Sequence, residues 1–234
     1  LAPRSNILFV QDTPSRLEEV RRMIRNIDVA LPQVLIEARI VVAPGAPETE
    51  LFAARELALF LHIVTGATFP VVEDAGQPGG RMLVGLAAAS SAVPDIAGPG
   101  LAPEEIVVRS VGDDLVFAGG SPRGTLYAVY TFLEDVIGCR WWTDTASRMP
   151  WKPSLSISPI SLRYKPPLEY REPYWYVAFD PVWSARNKAN GARAGGDDLR
   201  GGRQVYEGFV HTFYSLIPPE KYFAAHPEWF SEID

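Results

Sequence analysis

Apolar residues recur at helical spacing in three stretches of the chain. Across residues 13–28, Leu17, Val20, Ile24 and Ile27 lie three, four and three apart, which places them on one side of a helix. Thr13 stands where a cap is wanted and Pro14 at the first helical position. Its other side carries Arg and Glu, the composition of a solvated face. Across residues 48–65, Leu51, Ala54, Leu57, Leu61 and Val64 form a second stripe, and Gly66 follows where a left-handed cap belongs. The third stripe is Leu126, Val129, Tyr130, Leu133 and Ile137, with a start predicted at Ser121-Pro122 and a stop at Gly138. His62 lies within the second helix, where a satisfied surface histidine needs no further role.

Between these helices the apolar runs are short, as strands require. "NILFVQD" (6–12), "QVLIEARIVVA" (33–43), "FPVVE" (69–73) and "RMLVGL" (81–86) read as strands. "EEIVVRSVGDDLVFAGG" (104–120) reads as a hairpin turning near Gly112-Asp113, and "LEYREPYWYVAF" (168–179) as a further strand. Residues 74–80, 89–103 and 145–168 read as loop, surface excursion and linker from their Gly, Pro and Ser content. Residues 180–202 read as a short helical turn followed by a long polar loop, a feature common on functional faces. Strands alternating with helices predict an α/β fold. Its parts are a small βαβ segment (1–42), an α/β domain with a mixed sheet (43–150), and a linker with the start of a further domain (151–234).

Composition narrows what such a fold can do. Hydrophobic residues are 47% of the 234 and charged ones 21%, enough for a core of ordinary size. The net charge of −6 argues against nucleic acid as a partner, since phosphate backbones are held by clustered Lys and Arg. Six Trp, nine Tyr and eleven Phe supply rigid aromatic faces, which fill cores and also stack on flat sugar rings. No apolar run approaches the ~18 residues of a membrane-spanning helix. The single cysteine, Cys139, allows neither a disulfide within the chain nor a zinc cluster, and its apolar surroundings suggest a buried, inert thiol. No His/Asp/Glu spacing resembles a metal site, so neither metal nor cofactor is expected. "GGSPRG" (119–124) has neither the dinucleotide nor the P-loop spacing and reads as a helix start.

Five blocks spread over residues 40–234 resemble one family in order: "ETELFAARELALFLHIVTGATFPVVED", "GTLYAVYTFLEDVIGCRWWTD", "LEYREPYW", "WSARNKANG" and "HTFYSLIPPEKYFAAHPEWFS". This family is the bacterial DUF4838 proteins, whose front domain is similar to that of α-glucuronidases and β-hexosaminidases. The resemblance implies an α/β accessory domain followed by a (β/α) barrel with a glycoside-hydrolase-like site, a carbohydrate partner, and a secreted or periplasmic location. Residues 5–42 resemble instead a segment of type IV pilus secretins, which implies self-association through residues 1–42. Residues 40–43 would serve as a strand in either pattern.

A glycosidase commonly needs two carboxylates, about 5–5.5 Å or 6.5–9.5 Å apart, on loops after successive barrel strands. Only about one barrel strand, near 168–179, falls within the sequence. The catalytic pair is therefore expected beyond Asp234, and the chain alone is expected to be inactive. Two alternatives are a carbohydrate-binding or scaffold module without catalysis, and a secretin-related assembly protein. The residues expected to position a sugar are Arg171, Trp175, Trp183, Asn187 and His211. Arg171 matches an early-strand arginine that grips sugar hydroxyls in the hexosaminidases, or it pairs with Glu169 or Glu172. Asn187 caps a turn or binds a hydroxyl. His211 faces the pocket as a hydrogen-bond partner or lies outside it. Trp175 and Trp183 are the stacking candidates. Asp180, Asp197 and Asp198 read as solvated loop carboxylates, and His226, before a proline, as structural.

Overall fold

The computed structural model describes residues 13–19, 38–73, 80–98, 100–191, 197–208 and 210–231. The chain divides into two compact units, Leu1–Ile36 and Glu37–Asp234. In the first, residues 14–19 are helical from Pro14 onward, with the Leu17 N–H donating to the Thr13 carbonyl at 3.0 Å. The remainder of the predicted βαβ segment up to residue 37 lies outside the described residues.

The second unit is an α/β domain. Its strands are β1 (Arg39–Val41), β2 (Val71–Val72), β3 (Arg81–Val84), β4 (Ile106–Val111), β5 (Asp114–Gly119), β6 (Arg140–Trp141), β7 (Ser147–Arg148) and β8 (Ser161–Tyr164). Six of them form one sheet in the order β2-β1-β3-β5-β4-β8. The β1–β2, β1–β3 and β3–β5 pairs are parallel, while β4 runs antiparallel to both β5 and β8. The β6 and β7 strands form a small separate ribbon. Of residues 40–43, readable in either of two patterns, Ile40 and Val41 thus belong to this sheet.

The two faces of the sheet follow from the side-chain alternation of strands. Ile40, Met82, Val84, Ile106, Val108, Leu115 and Phe117 enter one buried cluster; Val41, Leu83, Val107, Val116 and Ala118 enter the other. Helices α1 (Glu48–Thr65) and α3 (Gly124–Phe132) cover the first face, and α2 (Leu86–Ala92) the second. In α1 the predicted bounds hold, and Gly66 closes it at φ 77°, donating to the His62 carbonyl at 2.8 Å. Every residue of α3 is buried, so this helix is a core element rather than an amphipathic one. It continues into a wider turn at Leu133–Ile137, closed by Gly138 at φ 94°.

Four readings from the sequence are corrected. Leu86–Ala92 is a helix, so residue 86 is not the end of a strand and residues 89–92 are not part of a surface excursion; small Ala and Ser side chains let α2 lie close on the sheet, with Ala88 and Ala89 buried. Ser161–Tyr164, placed in a linker, is the edge strand β8, whose pattern is hard to see because only Leu162 among its four residues is not exposed. Ser121 does not cap α3, which begins after Arg123. Residues 168–175 form no strand; the carbonyls of Leu168 and Glu169 instead accept from the side chains of Arg171 and Asn190, and Tyr176–Phe179 is a 3₁₀ turn.

The "GGSPRG" glycines are explained by close packing. A Cβ on Gly120 would lie 1.8 Å from the Ala102 carbonyl oxygen, and one on Gly119 would lie 2.1 Å from the Gly124 carbonyl carbon. Both neighbours are main chain and cannot swing away. Gly120→Ala is therefore expected to destabilise the unit by about 1–3 kcal/mol or more through overpacking, a loss readable as a lower thermal midpoint.

Candidate functional site

A buried carboxylate, Glu104, gathers several of the contacts that fasten the segment after the sheet to the domain. Glu104 precedes β4, is 4% exposed, and takes φ 59°, a left-handed backbone rare for a residue with a Cβ. Its Oε1 accepts from Arg123 Nε at 2.5 Å and Asn190 Nδ2 at 2.9 Å, and its Oε2 accepts from Arg171 Nη2. The same three donors hold carbonyls along residues 168–201. Arg123 donates to Gly201 at 2.7 Å, Asn190 to Glu169 at 2.9 Å, and Arg171 to Lys188 at 2.8 Å and Leu168 at 2.6 Å. Asn190 Oδ1 accepts the Arg171 N–H at 2.8 Å, and the Tyr127 hydroxyl donates to the Ala189 carbonyl at 3.2 Å.

Burial alone would raise the Glu104 pKa, but the hydrogen bonds from Asn190, Arg171 and Arg123, with the Arg123 charge, outweigh it and hold the carboxyl below its usual range. A value lower in the folded than in the unfolded state means that the unfolded chain binds more protons in acid. The stability contributed by Glu104 is thus complete above the unfolded value of about 4.3 and is lost as pH falls through the folded one. In thermal melts across acidic pH, the gap between wild type and Glu104→Gln is expected to narrow over that window.

The space beside this network is small. A cavity bounded by Arg123, Tyr127, Asn190 and Arg200 encloses about 10 Å³, room for one water at most. Arg171 is therefore an anchor, and its ionic partner is Glu104 rather than Glu169 or Glu172.

A cleft of about 420 Å³ lies elsewhere on the unit. One wall is Leu59, Phe60 and Ile63 of α1; the others are Trp141, Thr143, Asp144, Ser147 and Met149 of the β6–β7 ribbon region, and Asp180, Val182, Trp183 and Arg186 at α4 (Pro181–Arg186). Asp180 fixes α4 by accepting the Trp183 N–H at 2.6 Å, with Pro181 at the first helical position. Asn187 ends the helix and donates to the carbonyls of Trp183 at 3.0 Å and Trp141 at 3.2 Å, joining two walls of the cleft. Arg186 lies over the rings of Phe60 (5.0 Å) and Trp141 (5.8 Å) and pairs with Glu56 at 3.4 Å. Glu56 also accepts from the Tyr130 hydroxyl at 2.7 Å.

Among the described residues, the indole N–H groups of Trp141 and Trp183 are shielded from solvent and have no acceptor. Trp175 meets Trp183 edge-on at 5.7 Å and is half exposed. Of the five residues expected to position a sugar, the structure brings Trp183 into the cleft, with Trp175 and Asn187 against it. Arg171 belongs to the anchor. His211 is exposed at φ 57° and lines neither cavity.

Sequence reasoning missed Trp141, Asp144 and Arg186. "CRWWTDT" and "WSAR" both offer aromatic, charged and hydroxyl side chains within a few positions, a signal that was present. Asp197 accepts the Arg200 N–H at 3.0 Å and acts as a cap, and His226 stacks on Trp229 at 4.0 Å. No group of three or more His, Cys, Asp or Glu among the described residues could hold a metal ion. No helix among them is long and apolar enough to cross a membrane. Cys139 is fully buried, and burial, opposed by Lys152 and Arg140, pushes its thiol up to about 11. A thiol reagent is expected to label it only in denaturant; rapid labelling of folded protein would contradict this.

The structure thus defines an α/β domain that carries an aromatic cleft where its last segment docks. Residues 141–234 match a family described as a domain of unknown function, DUF4838. The match takes in the whole cleft wall except Leu59, Phe60 and Ile63, which α1 supplies. No curated protein matches the chain.

Proposed function

We propose that the Glu37–Asp234 unit is the carbohydrate-binding part of a carbohydrate-active, glycoside-hydrolase-like protein, and that the cleft between α1, β6–β7 and α4 holds the sugar. The observation that carries this reading is the composition of one wall set. Two tryptophans, Trp141 and Trp183, stand beside Asp144, Asp180, Thr143, Ser147 and Arg186 around a space of about 420 Å³. Ligand pockets of roughly 300–1,000 Å³ combine apolar walls with a few placed polar groups. A sugar ring presents an apolar face and a polar edge, which suits indole faces flanked by carboxylates and hydroxyls.

The test is calorimetric titration of the chain with soluble β-1,4-linked tetrasaccharides, neutral, basic and acidic. Saturable binding of at least one, lost in Trp183→Ala, supports the reading. Absence of saturable binding to all of them overturns it.

A further inference from the structure

The charges around the cleft differ in how they are balanced, and this has consequences for the ligand. Arg186 is the one cation among the lining residues, and it is already paired with Glu56 at 3.4 Å and spread over two aromatic rings. Glu56, 8% exposed, is buried behind it and also accepts the Tyr130 hydroxyl. This pair is neutral as a unit. Two lining carboxylates remain. Asp144 is exposed, and Asp180 uses one oxygen, Oδ1, to cap α4. Asp180 pairs with no cation among the described residues, nor does Asp144. Trp141, 6% exposed, lines the same space with an indole N–H that has no acceptor.

Aromatic faces combined with unbalanced carboxylates are the surroundings that favour an ammonium group, through the ring quadrupole and through direct charge. They disfavour a carboxylate, which would meet two like charges, while the one lining arginine already faces Glu56 and its unpartnered Nε is shielded from solvent. Resting on the carbohydrate reading above, we propose that the cleft selects amino sugars that carry a free, protonated amine over neutral sugars, and rejects uronic acids. In this arrangement the sugar ring lies against Trp183, and its ammonium faces Asp144 and the free oxygen of Asp180.

The test uses three tetrasaccharides of one linkage, β-1,4-linked glucosamine, glucose and glucuronate, titrated into the 234-residue chain at about pH 6, where the amine of the first sugar and the carboxylate of the third carry their charges. The glucosamine tetramer is expected to bind roughly tenfold or more tightly than the glucose tetramer, and the glucuronate tetramer more weakly than either. Added salt narrows these differences, because the charges are near the surface. Asp144→Asn, an exposed position that leaves the α4 cap in place, lowers the glucosamine-to-glucose ratio. Equal or tighter binding of the glucose or glucuronate tetramer overturns the selectivity while the carbohydrate reading stands. An unchanged ratio in Asp144→Asn overturns the assignment of the amine to this carboxylate. Failure of all three sugars to bind removes the carbohydrate reading and this inference with it.

Discussion

Glu104→Ala is expected to destabilise the Glu37–Asp234 unit by about 3–5 kcal/mol, the cost of removing one member of a buried charge group. The side chains of Glu104 and Arg123 are 6% and 7% exposed, and that of Arg171 is 19% exposed. The substitution leaves two guanidinium groups and the Asn190 amide facing a vacancy with no counterion. For a domain of this size each kcal/mol moves the thermal midpoint by roughly 2–4 °C, so a fall of about ten degrees is predicted.

The loss is also spatially directed. Donors that are held in place by Glu104 are the ones that bind the carbonyls of Leu168, Glu169, Lys188 and Gly201. Proteases should therefore cut within 168–202 faster in the variant than in wild type. Glu104→Gly isolates the backbone contribution. Glycine tolerates φ 59° without the roughly 1–2 kcal/mol strain of a residue with a Cβ, so it should be less damaging than alanine. Equal stability of Glu104→Ala and wild type would mean that the anchor contributes little and that the docked segment is held by other contacts.

Trp183→Ala is expected to weaken sugar binding by about 2 kcal/mol, roughly 30-fold, as for a central aromatic anchor. Its effect on the fold should be small. The position is half-buried, and the cap to Asp180 is made by the backbone N–H, which alanine keeps. Calorimetry and a thermal melt on the same sample separate the two effects. A large drop in melting temperature with unchanged affinity would make Trp183 a packing residue only. Trp141→Ala is a poorer probe, because Trp141 also contacts Phe60 at 5.1 Å and Tyr130 at 5.7 Å within the core.

Much of the α/β framework is legible in the sequence because its determinants are local. The stripe Leu51–Val64 with Gly66 gives α1 to the residue, and the Gly112-Asp113 turn gives the β4–β5 hairpin. What escaped reading depends on non-local contacts. β8 exists because β4 offers an open edge, and nothing in "SLRY" alternates strongly enough to announce it. Residues 168–175 look like a strand by composition, yet their carbonyls are consumed by Arg171 and Asn190, leaving no ladder to join.

The site divides in the same way. Aromatic richness pointed to Trp175 and Trp183, which do meet. Arg171, by contrast, is claimed by Glu104, 67 residues earlier, and no spacing rule reaches that far. Trp141 and Asp144 become neighbours of Asp180 and Trp183 only once α4 docks against the β6–β7 ribbon region.

The central claim is that sugar occupies the cleft lined by Trp141 and Trp183. The chain has six tryptophans, so a nitrogen-15 spectrum should resolve up to six indole N–H signals, assignable by substitution. On titration with the glucose and glucosamine tetramers, the Trp141 and Trp183 signals are predicted to shift with saturation, because both residues line the cleft. The Trp151 and Trp229 signals should stay fixed, since both residues lie outside the cleft. Saturable shifts at Trp151 or Trp229 with none at Trp141 and Trp183, or no shift at any tryptophan, would contradict it.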